Sequence, residues 1–405
     1  MYGLWGDCRD AFAMGKKRFL ADPFPPMELS TGDKTQLQEL VRTFVDENLS
    51  LYEKFLTTEG RQVNDSRWKL FKVKETIRLH VEREIRATDG DRRAIMSEAS
   101  ETAGMPVVLC EGTMLGRLDD VMFGAANSTV ETARLKASYM DDLSGAAVLG
   151  VAVEPTVEEP LGSTVLKWME VELPLHATSL VKNRDYVYIE ATGFVRLANG
   201  ERVGYQVMHS IGFPQAHELP ERIRGDIHVC AFFRQEREQS VEVHITAVCA
   251  QGGNMQSLLL YPSALKLLTC TKYAHCGEMK KLAWLMHKRH TEGRGSEAAN
   301  REDSCVSCAV AAPSRRFGSF GKPWDTCKLC FGFVCRRCCV KKRLNFVTRD
   351  LEIEERKVTF CPGCSKEALE LNTLEVARAQ LLGQSAQSVY CTDAEYAGTS
   401  IVDSS

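Results

Sequence analysis

The stretch Cys327-Lys-Leu-Cys-Phe-Gly-Phe-Val-Cys-Arg-Arg-Cys338 carries two Cys-x-x-Cys pairs separated by the four residues Phe331 to Val334. Two further pairs flank it at a distance, Cys305/Cys308 upstream and Cys361/Cys364 downstream. Each pair puts two thiolates within reach of one metal ion, so the eight sulfurs supply two closed, tetrahedral, all-thiolate zinc sites with no position left for a substrate. Such sites build structure and do not catalyse. A compact centre with distant flanks predicts a cross-braced double site. In it Cys305 and Cys308 share one zinc with Cys335 and Cys338, while Cys327 and Cys330 share the second with Cys361 and Cys364. Disulfides are the alternative reading, but four regular pairs in a chain with no evident secretion signal favour zinc. Cys339, directly after Cys338, is a spare thiol. So short a segment has little core of its own, and its folding should depend on the metal.

This spacing, with the quoted run, resembles the FYVE zinc finger, a module that binds phosphatidylinositol 3-phosphate on endosomal membranes. The resemblance implies an apolar loop that enters the bilayer. Here Phe317, Phe320 and Trp324 lie in the loop before the third cysteine, beside Arg315, Arg316 and Lys322. That mixture suits an interfacial anchor, apolar bodies down and cations toward phosphates. The alternative is that these aromatics cover the small zinc core. The sequence departs from the family where the basic phosphate-gripping run belongs: in Pro323-Trp-Asp-Thr-Cys-Lys328 only Lys328 is cationic, and Thr359-Phe-Cys361 replaces another contact. The zinc fold therefore follows from the resemblance more firmly than phosphoinositide specificity does. A protein partner, as for RING-like cross-braced folds, is the competing use of the same module.

The chain has 405 residues and 44% hydrophobic content, enough for two domains with ordinary cores. A net charge of -3 argues against a whole-chain nucleic-acid binder. Charge is uneven, however: Cys305 to Cys364 holds 12 Lys/Arg against 5 Asp/Glu. That surplus gives a modest attraction for anionic lipid or another acidic surface, or else is a solvated basic face. Cys110, Cys230 and Cys249 sit in apolar, strand-like runs and read as small buried hydrophobes of a reducing compartment. The start, Met-Tyr-Gly-Leu-Trp-Gly-Asp, lacks a signal-peptide pattern, and the longest apolar run, Ala146 to Val153, is too short to span a bilayer. These features predict a cytoplasmic protein, and the finger's resemblance implies one peripheral on endosomal membranes.

Residues 1–30 read as a lead-in broken by Pro23, Pro25 and Pro26. Apolar residues at Leu37, Leu40, Val41, Phe44, Val45, Tyr52 and Phe55 predict an amphipathic helix over 34–57. Strands are expected at Pro106–Met114, Thr164–Leu173, Asp185–Leu197, Arg202–Phe213 and Val241–Val248, with helices at Leu118–Phe123 and Val130–Asp142. Asn199-Gly200 signals a tight hairpin, because both residues tolerate positive φ. In Val241–Val248 the alternation puts Val241, Val243, Ile245 and Ala247 on an apolar face and Glu242, His244 and Thr246 on the other. A long helix over Ser263–Lys288 must bury its apolar side against the sheet. The predicted class is α+β, an antiparallel sheet gripping a long C-terminal helix over residues 31–288. A flexible linker at 289–304, the zinc finger at 305–366, one helix over 367–382 and a disordered tail at 383–405 follow it.

The run Trp168-Met-Glu-Val-Glu-Leu-Pro, followed by Val181-Lys-Asn-Arg-Asp-Tyr-Val-Tyr-Ile-Glu190, resembles the START lipid-transfer domain. With the finger, residues of about 20 to 365 resemble the START-like plus FYVE-type proteins abundant in oomycetes. That resemblance implies a tunnel holding an apolar lipid or sterol, with the charged Arg184 and Glu190 as candidate polar handles; a solid core is the alternative. Asp119-Asp120 reads as a helix cap. No HExxH, GxSxG or Walker-type loop is present, so catalytic machinery is not visible. The reading is a non-enzymatic protein with two structural Zn2+ that associates with lipid or membrane. Its rival is a protein-interaction scaffold built on the same finger.

Overall fold

Ser30 opens the first helix with a reciprocal cap: its Oγ accepts from Asp33 N–H at 3.1 Å, and Asp33 Oδ2 accepts from Ser30 N–H at 2.9 Å. The helix, α1 (Thr31–Thr57), buries Leu37, Val41, Phe44, Val45, Tyr52 and Phe55 along one side. The structure, a computed structural model, describes residues 20–21, 23–25, 27–83, 105–140, 145–171, 182–252, 262–292, 304–311, 325–383 and 390. The expected loop residues Arg315, Arg316, Phe317, Phe320, Lys322 and Trp324 lie outside these, as do most of the lead-in, most of the linker and all of the tail but Gly383 and Tyr390.

Beyond β1 (Leu20–Ala21), the strands of the first domain are β2 (Trp68–Lys74), β3 (Ile77–Glu82), β4 (Val108–Leu115), β5 (Gly145–Val153), β6 (Ser163–Val171), β7 (Asn183–Arg196), β8 (Arg202–Ser210), β9 (Arg222–Arg224), β10 (Asp226–Arg237) and β11 (Ser240–Ala250). They form one sheet in the order β1-β5-β6-β7-β8-β10-β11-β4-β3-β2, with β9 on β7. Apart from the short parallel β1–β5 and β7–β9 pairs, every pairing in it is antiparallel. Between β4 and β5 run α2 (Leu118–Ala125) and α3 (Val130–Met140). After β11 come a helical turn at 262–266, a 3₁₀ segment (Leu267–Lys272) and α4 (Tyr273–Thr291).

The sheet is covered on both faces. α1 lies outside, on Ile189, Ala191, Val203, Val207, Cys230 and Phe232. Inside, α2, the 3₁₀ segment and the start of α4 pack on Val229, Ala231, Phe233, Val243 and Ile245. The polar face of β11 is covered too. Glu242, His244 and Thr246 are buried under α1, where Tyr52 Oη donates to Glu242 Oε1 at 3.0 Å and Thr246 Oγ1 to Asn48 Oδ1 at 3.3 Å. Polar alternation in a sequence does not reveal whether a helix will cover it.

Two expected helices are broken, each for a local reason. In the Ser263–Lys288 segment, Thr269 and Thr271 donate their hydroxyls to the carbonyls of Lys266 and Leu268 at 2.7 and 2.9 Å, three residues back, in competition with the helical ladder. The chain tightens there to 3₁₀. After the finger, the single expected helix is two, α5 (Pro362–Glu370) and α6 (Thr373–Leu382), because Asn372 Oδ1 accepts from Leu374 and Glu375 N–H at 3.0 and 3.2 Å and starts a new helix. The strands β2, β3 and β10 were not anticipated. Neither were β14 (Val340–Val347) and β15 (Ile353–Phe360), an antiparallel hairpin in the finger, nor the short pair β12 (Asp325–Thr326) and β13 (Phe333–Val334).

The finger packs against the helices of the first domain. Leu135 of α3 and Met279, Leu282, Leu285 and Met286 of α4 share one apolar core with Leu329, Leu344, Phe346, Val358 and Phe360 of the finger. Polar ties cross the same seam. Asn345 N–H donates to Tyr139 Oη at 3.0 Å, Arg134 Nε to Leu351 O at 3.1 Å, and Arg289 pairs with Glu367 at 2.7 Å. A further tie is fully buried: Lys281 pairs with Asp120 of α2 at 2.7 Å and donates to Leu369 O at the end of α5 at 2.8 Å. Asp120 also accepts from Thr373 of α6, so it is a link between helices and not the cap expected of Asp119-Asp120; the residue at the cap position is Arg117.

Candidate metal centres and a buried lysine cluster

Each Cys-x-x-Cys pair is bent by one backbone bond. The N–H of Ala309, Phe331, Cys339 and Ser365 donates to the carbonyl of Cys305, Cys327, Cys335 and Cys361, at 2.8 to 3.0 Å. That bond turns the chain so both thiols of a pair point to one side. The pairs then meet as the spacing predicts: Cys305, Cys308, Cys335 and Cys338 form one group, Cys327, Cys330, Cys361 and Cys364 the other, with all ligand sulfurs of a group within 4.8 Å.

The geometry fits zinc. A tetrahedron with Zn–S near 2.3 Å has sulfur–sulfur edges of about 3.8 Å. The separations of Cys308 and Cys335 Sγ, 3.7 Å, and of Cys330 and Cys361 Sγ, 3.9 Å, match that edge and are far longer than a disulfide bond. Backbone N–H groups also point at the sulfurs, from Cys335 to Cys305 Sγ and from Cys364 to Cys361 Sγ, both at 3.4 Å. Cys361 is the cap of α5, so the second group sits at a helix N-terminus, where thiolate is favoured. Each group could hold one zinc ion through four sulfurs, a saturated site that stabilises the fold. Cys339 is turned aside, toward Asp325 Oδ2 at 3.6 Å and Thr359 Oγ1 at 3.9 Å. Lys328 joins the finger's sheet, its N–H donating to Thr359 O at 3.0 Å.

Arg184 and Glu190 are both buried, yet the structure does not bring them together. They lie six residues apart on one face of β7, about 20 Å along the strand. Arg184 is tied to the carbonyls of Gln251 and Lys182. Glu190 is the centre of a charge cluster under the helices. Lys167 of β6 pairs with it at 2.9 Å, Lys136 of α3 at 3.2 Å, and Gln206 of β8 donates to it at 2.7 Å. Lys136 also lies 5.0 Å over the Tyr273 ring, and Lys167 donates to Asn127 Oδ1 at 2.6 Å. Lys280 of α4 completes the group, donating to the carbonyls of Phe123 at 2.7 Å and Ala126 at 2.9 Å.

The electrostatics follow from this placement. Burial disfavours the Glu190 carboxylate, but the ammonium groups of Lys136 and Lys167 outweigh it and hold the carboxyl at about 2. Burial pulls Lys280 down to about 8, against partial support from Cys276 and Glu190. Three ammonium groups thus face one carboxylate among the described residues. The lysines went unnoticed in the sequence because they come from three separate elements. The signal available was weak: Lys167 sits between Leu166 and Trp168 in a strand that is buried along its whole length.

No family model matches the sequence, and a search of curated proteins finds no match. Among solved structures, the chain is similar to human StAR-related lipid transfer protein 5, at 12% identity and a TM-score of 0.39 over 60% of this chain and 98% of that one. It is similar to human STARD10 at 10% identity and a TM-score of 0.37, over 55% of this chain and 78% of that one. A STAR-related lipid transfer protein fragment from Xanthomonas axonopodis gives 15% identity and a TM-score of 0.34, over 52% and 98%. Such distant likenesses carry nothing about ligand or activity. The strand order and helix placement define an α+β fold in which a largely antiparallel sheet grips α4, followed by two tetra-cysteine groups able to hold zinc.

Proposed function

We propose that this chain is a non-enzymatic zinc protein that takes an amphipathic lipid with an acidic head between its sheet and α4, while its finger recruits it to an anionic membrane surface. The lysine cluster carries this reading. Burying ammonium charge beyond what a carboxylate neutralises is unfavourable, and an acidic head group entering beside Lys136, Lys167 and Lys280 would remove the imbalance. An acyl chain would lie against the inner-face residues Val229, Ala231 and Phe233 by displacing part of the α2 and α4 packing that covers them. Protein purified under reducing conditions should carry two zinc ions and a stoichiometric extractable lipid by mass spectrometry. Reproducible absence of any lipid from protein that retains both zincs would end the carrier reading.

A second reading is a protein-interaction scaffold with a solid core. What favours it is that the cluster is already hydrogen-bonded throughout, with Glu190, Gln206, Tyr273 and the carbonyls of Phe123, Ala125 and Ala126 as partners. Liposome flotation with and without phosphatidylinositol 3-phosphate separates the two. Binding to anionic vesicles in both cases supports membrane recruitment without phosphoinositide specificity; no binding leaves the scaffold.

A further inference from the structure

An open groove of about 460 Å3 lies on the seam between the first domain and the finger. Its walls come from five places in the chain: the β2–β3 turn, the end of α3, the 3₁₀–α4 junction, β14 and β15. Cations converge on it from three of them, Lys74 at the turn, Lys272 at the junction and Arg343 on β14. Lys342 lies close by. Partial desolvation and then the ammonium groups of Lys342 and Lys272 hold the neighbouring His275 below the usual imidazole range. The acids here are Glu75, Glu355 and the nearby Glu278. Glu355 is engaged by Arg343 at 3.4 Å, and Glu278 faces Lys342 and Lys281.

Neutral polar groups complete the lining. Lys74 Nζ donates to Thr271 Oγ1 at 3.1 Å, which fixes both groups at the rim. Tyr139 Oη accepts from Asn345 N–H at 3.0 Å, so its own hydroxyl proton is available for a second bond. Asn345 Nδ2 donates to Ser138 Oγ at 2.9 Å, which anchors the floor across the seam. A volume of this size suits a head group or a small metabolite. Three cations on three independent elements suit an anion with three oxygens spread around one centre better than a planar carboxylate.

We propose that this groove binds a phosphate monoester, with Lys74, Lys272 and Arg343 each meeting one phosphate oxygen and Tyr139 donating a hydrogen bond. The site does not depend on a lipid in the first domain. Because Lys74 and Lys272 belong to that domain and Arg343 to the finger, a bound phosphate ties the two together. It should stabilise the native state by mass action.

The test uses full-length, zinc-loaded protein and two probes. Glycerol 3-phosphate is titrated by calorimetry, and vesicles containing phosphatidic acid are compared with vesicles of equal charge containing phosphatidylglycerol, a phosphodiester. Saturable binding to either phosphomonoester is expected, and which one binds distinguishes a free metabolite from a lipid head group. Lys74→Gln and Arg343→Gln should each weaken it about 10-fold, as loss of one charged hydrogen bond does, while Arg378→Gln, outside the groove, should not. Zinc content and circular dichroism establish that each variant is folded. A measurement on unaltered protein stands beside them: hydrogen exchange should slow at 271–275 and 340–347 on adding glycerol 3-phosphate. Equal weakening in Arg378→Gln, protection only elsewhere, no saturable binding, or tighter binding of polyglutamate than of either phosphomonoester would overturn the proposal.

Discussion

Ala309 and Phe331, each directly after the second cysteine of a pair, hold φ near +55° and +60°, a backbone region that favours glycine. Their strain is tolerated because the turn they close aims two sulfurs at one point. The same turn explains why Cys338 and Cys339 are not equivalent. Cys335→Ser or Cys338→Ser should release one zinc per chain, and Cys339→Ser should release none, as elemental analysis would read. A second residue-scale device is the buried pair His209 and His228, whose Nδ1 atoms lie 3.0 Å apart and share one proton. Desolvation lowers His209 to about 4, and desolvation with the His209 neighbour lowers His228 to about 3. In the unfolded chain both take up a proton near pH 6.5, so stability is lost as pH falls from there toward 4. Urea denaturation at stepped pH should show a decline of about 1.4 kcal/mol per unit for each histidine, and replacing both with Leu should make it shallower, leaving the share of buried His244, which desolvation also lowers to about 4. A wild-type curve level from pH 7 to 4 would contradict this account. The Glu190 carboxyl acts further down: its stabilisation is fully present above its unfolded value of 4.5 and is lost progressively as pH falls from there to about 2.

At the scale of elements, α2 and α4 cross so closely that glycines are required. A Cβ on Gly124 would strike Tyr273 O, and one on Gly277 would strike Asp120 O. Both obstacles are backbone, which cannot rotate away. Gly277→Ala should therefore destabilise the protein by about 1 to 3 kcal/mol, and thermal unfolding would measure it. The cost should appear although alanine is the better helix former, so a rise in Tm would show that the crossing is looser than described. The crossing matters because α4 belongs to two cores. Its first turns cover the sheet with Ala274, and its later turns carry Met279, Leu282, Leu285 and Met286 into the finger.

For the whole molecule this sharing makes the finger and the first domain one folding problem. The cysteines of the two groups flank β14 and β15 and reach into α5, elements that cover the apolar side of α4. Removing zinc with a chelator under reducing conditions should therefore lower the melting temperature of the sheet domain as well as unfold residues 305–366. Circular dichroism for the helices and near-ultraviolet signal from the buried Trp168 would follow the two together. If the Trp168 transition stayed fixed while the finger melted, the shared core would contribute little to cohesion.

Much of this was legible in the order of residues. The spacing of the eight cysteines, a compact centre with distant flanks, pointed to the cross-braced grouping in which the pairs are found. The apolar periods of α1 and β11 and the Asn199-Gly200 turn, where Gly200 holds φ at +83°, were set locally by side-chain spacing and backbone freedom. What the sequence could not show depends on residues far apart in the chain meeting in space. Lys136, Lys167 and Lys280 gather on Glu190 only when a strand and two helices close over it, and Lys74, Lys272 and Arg343 meet only because the finger docks on α3 and α4. Local pattern determines which elements form; burial decides which of their charged groups end up facing one another, because that depends on how the elements pack and not on any one of them.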